Sequence, residues 1–224
     1  MKKVLFLMVC VLALTSCKIE LGNMGDNLIE ASDNIVTKTY KLTAFEEVDM
    51  TCVGDVEIIQ DEQKSGTVTL TAPDNYIDLY QFTSDHSRLT IGRTKRGVNI
   101  HTAHVKIKVY TSDLVRIHNS GASHISMNKL DTDCLQVVNS GVGSIDVAGI
   151  ADEVDLRNSG VGSINTQQLK ALRAKASVSG VGSIKCYASE SIEGRVSGVG
   201  SLEYAGHPRQ QDNKRSGVGS IKAI

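Results

Sequence analysis

Five times the chain spells Ser-Gly-Val-Gly-Ser followed by an aliphatic residue: Ser140–Ile145, Ser159–Ile164, Ser179–Ile184, Ser197–Leu202 and Ser216–Ile221. A looser copy, Ser120-Gly121-Ala122-Ser123, comes first. From serine to serine the steps are 20, 19, 20, 18 and 19 residues. A period of that size marks stacked repeats, each a unit that cannot bury its apolar side alone. Short alternating runs flank each turn, Leu135–Asn139 and Val154–Asn158 before it, Ser144–Val147 and Ser183–Tyr187 after it. Alternation of that kind reads as half-buried β-strand. The turn glycines are Gly121, then Gly141 and Gly143, Gly160 and Gly162, Gly180 and Gly182, Gly198 and Gly200, Gly217 and Gly219. The glycine pair is expected to permit positive φ at a corner, where a Cβ would be strained.

A near-constant period places equivalent residues above one another, about 4.8 Å apart. Ile125, Ile145, Ile164, Ile184, Leu202 and Ile221 then form one inward apolar column. Asn119, Asn139 and Asn158 form another, continued by Val178 and Val196. The exchange of Asn for Val predicts that this column faces inward, with amide hydrogen bonds passing from rung to rung. Leu135-x-Val137-x-Asn139 imitates part of a leucine-rich repeat, but the remaining leucines are missing. The segment 166–175 keeps the period, so it is expected to widen a turn rather than insert a helix. The rest of the composition agrees with many short strands and tight turns, with 20 glycines, 2 prolines, 3 phenylalanines and no tryptophan.

The first residues have another logic. Met1-Lys2-Lys3 is a basic start, and Val4 to Leu14 is an apolar run too short to span a bilayer. Leu14-Thr15-Ser16-Cys17 then resembles the lipobox of bacterial lipoproteins. That resemblance implies a signal peptide over residues 1–16, cleavage between Ser16 and Cys17, and acyl chains on Cys17. Several chains on one residue hold a protein firmly at a membrane. Residues 17–38 are expected to be a tether, 39–118 a less regular N-terminal β portion, and 119–224 the regular repeats.

A second resemblance rests on Ala44-Phe45-Glu46-Glu47-Val48, Gly54-Asp55-Val56-Glu57-Ile58-Ile59-Gln60, Val68-Thr69-Leu70-Thr71-Ala72 and the repeated Ser-Gly turns. Together they are similar to the head GIN domain family, labelled an autotransporter adhesin and common among exported and lipid-anchored envelope proteins. The resemblance spans about residues 39–224. It implies an all-β, right-handed parallel β-helix-like solenoid with ~19-residue rungs. It carries over no functional residues.

The chemistry-bearing residues offer little else. The charge is balanced, 24 basic against 25 acidic residues, with no basic stripe for nucleic acid. No aspartate recurs in the turns as a calcium roll requires, so no metal and no cofactor are expected. Asp131 and Asp133, or Asp152, Glu153 and Asp155, form no carboxylate pair that stands out for glycoside hydrolysis. His101 and His104 would face opposite sides of a strand, while His118 and His124 bracket the first turn and could approach each other. Cys52, Cys134 and Cys186 are expected as buried small apolar residues, the last two on different walls. The column Asp146, Asn165, Lys185, Glu203 and Lys222 projects outward and is the candidate surface for a glycan or a surface protein. The expected function is a non-catalytic, lipid-anchored cell-envelope protein, adhesin-like, with the outer membrane as the expected location. A polysaccharide-active β-helix is the alternative. So is an assembly module, because the last rung would offer an open C-terminal edge to a homodimer.

Overall fold

The computed structural model describes residues 28–95 and 97–224. The described chain opens with β1 (Leu28–Ile29) and β2 (Ile35–Lys41). Folded structure therefore reaches back into the stretch expected as a tether. The remainder of that stretch, the signal segment and Cys17 lie outside the described residues. Next come β3 (Glu47–Met50), β4 (Val53–Gln60), β5 (Thr67–Pro73), β6 (Tyr80–Asp85), β7 (Arg88–Arg93), β8 (Asn99–Ile100), β9 (Lys106–Thr111) and β10 (Arg116–Asn119). The regular part holds β11 (Ala122–Asn139) and β12 (Val142–Asn158), which each run through two walls. It continues with β13 (Val161–Thr166), β14 (Leu169–Val178), β15 (Val181–Tyr187), β16 (Ser191–Val196), β17 (Val199–Ala205), β18 (Gln210–Arg215) and β19 (Val218–Ala223). The segment 166–175 is a turn and a strand, as its period requires.

These strands form a parallel β-solenoid of about five turns. Its layers do not follow chain order. β3 and β4 lie between β7 and β9 on one side and β10 and β11 on the other, parallel to all four. Antiparallel strands close that end: β5 on β9, β2 on β5, and β6 on β7. Tyr76 and Tyr80 pin this cap, their hydroxyls donating to the carbonyls of Ile29 (2.6 Å) and Val53 (2.8 Å). The boundary expected near residue 118, between two parts of one unit over 39–224, lies within β10, on which β3 stacks directly.

Register reveals a further copy of the repeat. Val53 aligns with Ala122 and Val142, Gly54 with Ser123 and Gly143, and Val56 with Ile125 and Ile145. Thr51-Cys52-Val53-Gly54-Asp55-Val56 is thus a corner with changed letters.

The inward columns match their expected positions. Ile125, Ile145, Ile164, Ile184 and Leu202 are fully buried, and Ile221 is partly so. Asn119, Asn139 and Asn158 are also fully buried. Nδ2 of Asn119 donates to Oδ1 of Asn139 (3.0 Å), and Nδ2 of Asn139 to Oδ1 of Asn158 (3.1 Å). The ladder ends where Asn158 donates to the Gly162 carbonyl (2.8 Å) and Val178 takes the next place. Each amide so satisfies its neighbour in a dry interior, where an orphan would be costly.

The two turn glycines are needed for different reasons. Gly162 has φ +137°, as the corner reading expects. Gly160 lies outside the left-handed region, but a Cβ there would run into the carbonyl oxygen of Gly141 in the rung beneath. Close stacking, not torsional freedom, selects that glycine.

A candidate binding groove

A groove of about 750 Å³ lies on the wall that precedes the corner. Leu135, Val154, Ala174 and Ile192, stacked in register, form its apolar floor. On a strand, residues on either side of a floor position point outward together. One rim is therefore Cys134, Glu153, Arg173, Ser191 and Gln210, and the other is Gln136, Asp155, Lys175, Glu193 and Asp212.

Ion pairs between rungs and along single strands hold the rims. Arg173 donates to Glu153 (2.8 Å) and Glu190 (3.4 Å). Arg157 meets Asp155 at 2.7 Å, and Arg195 meets both Asp212 (2.7 Å) and Glu193 (3.2 Å). Lys175 lies 3.6 Å from Glu193. The hydrogen bond from Arg195 holds the Asp212 carboxyl below its ordinary range. The bond to Glu153 raises Arg173 in the same way. Such exposed pairs add little stability, but they fix side chains that would otherwise sweep freely. The result is an ordered double row of donors and acceptors over an apolar floor. Glu153 and Asp155 belong to these rims, each engaged by an arginine.

The column expected as a surface, Asp146, Asn165, Lys185, Glu203 and Lys222, is brought together in register on the wall after the corner. Its members pair with one another. Asn165 donates to Asp146 (3.1 Å) and Lys185 bridges Glu203 (3.2 Å). A shallow dent of about 180 Å³ beside Asp146 and Asn165 is the concavity found there. The groove lies on the other wall, and spacing alone does not reveal it, because charged residues on a strand read alike whether the surface is flat or hollow.

Other sequence candidates separate. His118 sits 3.3 Å from Asp49 and bonds the Ser140 hydroxyl, while His124 takes Ser144 and Asp146, so the two histidines turn to different partners. His101 precedes and His104 ends a short 3-10 turn, Thr102–His104, rather than lying on a strand. Cys52, Cys134 and Cys186 are all free thiols. Burial pushes Cys52 and Cys186 up to about 12. Cys134 contradicts the buried reading: it follows Asp133 at a bend where two successive residues face outward, and it is exposed at the groove's end. Among the described residues no cluster of His, Cys, Asp and Glu is placed to hold a metal.

Fold and groove together define a repeat protein that presents a rigid, laterally grooved surface. The chain belongs to the family described as "putative auto-transporter adhesin, head GIN domain", whose model matches residues 44–208. It is similar in structure to a "putative adhesin" from Bacteroides fragilis, at 29% identity and TM-score 0.75, over 88% of this chain and 100% of that one. A "putative adhesin" from Parabacteroides merdae shares the fold at 15% identity and TM-score 0.53, over 88% of this chain and 99% of the other. A "putative lipid binding protein" from Parabacteroides distasonis does so at 18% and 0.52, over 87% and 99%. None of the curated proteins matches the chain. The family and the Bacteroides fragilis protein support an adhesin-like role at the cell envelope.

Proposed function

We propose that the chain is a non-catalytic, lipid-anchored envelope adhesin that holds an extended glycan along its lateral groove. The observation that carries this reading is the double row of ion-paired side chains over an apolar floor, repeated rung after rung. Prearranged charged groups bond hydroxyls at little ordering cost. A repeated set of weak sites along one polymer gains by multivalency. Among the described residues no aromatic side chain lines the groove, so each sugar is held by polar contacts and affinity comes from length.

An array of glycans and envelope proteins tests this. Polymer binding that grows with chain length and falls at least about tenfold in Arg173→Ala/Lys175→Ala supports it. Binding unaffected there but lost in Lys185→Ala/Glu203→Ala would move the site to the opposite wall. A protein partner selected in place of any glycan would overturn the ligand class. Release of reducing sugar, abolished in Glu153→Gln, would overturn the non-catalytic reading. The lipid anchor rests on Leu14-Thr15-Ser16-Cys17. Acyl labelling that persists in Cys17→Ala would remove it, and protease access on intact cells decides whether the groove faces outward.

A further inference from the structure

The middle letter of the repeat has no part in the core. Val142, Val161, Val181, Val199 and Val218 stand in register on successive rungs, each between 51% and 73% exposed. Serines flank them on both sides, so the corner is an uncharged strip of Ser, Val and Ser, five rungs long, among the described residues. A lone exposed valine is ordinary. A continuous ladder of β-branched side chains on rigid, fully paired backbone is a surface awaiting a partner. The residue type changes at one end, within the same register. Ala122 takes the valine's place there, and a hollow of about 320 Å³ opens between Ala122, Thr102, Gly54 and Val142, with Asp55 and His124 also lining it. Val218, the most exposed of the five, stands at the other end.

We propose that this ridge is a self-recognition surface, on which a second copy of the chain docks with its stack antiparallel. A partner with the same rung spacing of about 4.8 Å is required for every valine to find a gap, and another copy has it by construction. With a half-rung offset the valines of one copy drop between those of the other. A two-fold axis then sets Val181 half a rung from its own counterpart, between it and the partner subunit's Val161, and seats each Val218 in the hollow between the partner subunit's Ala122 and the partner subunit's Val142. Such a contact is isologous and closes after two copies. Five rungs by three outward residues cover roughly two-thirds of the ~800 Å² per partner of a standard interface. The dimer is therefore reversible and concentration-dependent. It leaves both lateral grooves free, since they lie on another wall.

Sedimentation velocity on the purified full chain, from about 1 μM to about 1 mM, tests the proposal. The mass should climb toward that of a dimer. Val181→Lys should remain monomeric or shift the midpoint at least about tenfold, with an unchanged circular dichroism spectrum. Ile150→Lys, which alters an exposed apolar residue away from the ridge, should dimerise normally. If Val181→Lys fails to fold, Val142→Ser/Val218→Ser takes its place. In a Cys134→Ser background, oxidation of Val181→Cys should give a disulfide-linked dimer where Val142→Cys does not. A monomer at the highest concentration overturns the proposal. So does a dimer indifferent to Val181→Lys and to Val218→Ser but lost on substitution of Lys222 or Ala223 in β19, which would place the contact at the edge of the last rung. Retention of a monomeric chain on insoluble polysaccharide, lost in Val181→Lys, would assign the ridge to a polymer instead. A missing dimer leaves the glycan arrays free to succeed, so the two readings fail separately.

Discussion

At the scale of single residues, the buried asparagines show how a polar side chain can serve a dry core. Each amide bonds its neighbour in the stack, and the two end members also donate to corner carbonyls, Asn119 to Val142 and Asn158 to Gly162. Asn139→Val removes both partners at once, leaving the Nδ2 of Asn119 without Asn139 and the Oδ1 of Asn158 without its donor. An orphaned buried group costs about 1–3 kcal/mol, so urea unfolding of Asn139→Val should show a loss on the order of 3 kcal/mol. Replacing Asn119, Asn139 and Asn158 together by valine should cost less than the sum of the three single changes, because the ladder then leaves no half-filled amide pair. A triple variant that is strictly additive would mean the amides act independently. The inward placement of this column was legible, because valine takes over the same position at residues 178 and 196. The stacking role of Gly160 was not, since the carbonyl it must avoid belongs to another rung.

Elements are where the groove is decided. Alternation along a strand says which residues face out, and Glu153 and Asp155 flank the buried Val154 as Arg173 and Lys175 flank the buried Ala174. It does not say that the wall is hollow there, because hollowness depends on how consecutive strands bend. The pairing of Arg195 with Asp212 makes this wall testable. Asp212 is held below its ordinary carboxylate value in the folded state, so its favourable contribution is present above about pH 4. That contribution disappears as pH falls through the lowered value. Arg195→Ala should move the Asp212 titration, followed by carboxyl NMR, to higher pH. An unmoved titration would show that the pair is not formed in solution.

For the molecule as a whole, the two ends of the stack differ. One is sealed by the antiparallel strands β2, β5 and β6 and by the tyrosine bonds beneath them. At the other, β18 is exposed throughout and β19 is mostly exposed. A solenoid's stability is nearly a sum of neighbour terms, so layers with one neighbour open first. Amide hydrogen exchange should be slowest in β11 to β15 and fastest in β18 and β19. Uniform protection along the stack would indicate that it unfolds as one unit. The valine ridge runs along the same axis, which makes dimer-dependent protection of the corners a second readout of docking.

The sequence by itself determined the rung. Its period, its corner glycines, its inward isoleucines and asparagines all follow from residue spacing, because neighbours in a repeat are defined by that spacing alone. Tertiary structure decided what depends on contacts between distant segments. The insertion of β3 and β4 between later strands needs pairings the chain order does not announce. The corner hidden in Thr51–Val56 is visible only through register. The groove arises from the bend of several strands together, and the valines become a ridge only when the rungs are stacked straight. Spacing carries local geometry, whereas shape and order of assembly belong to long-range packing, which no single repeat contains.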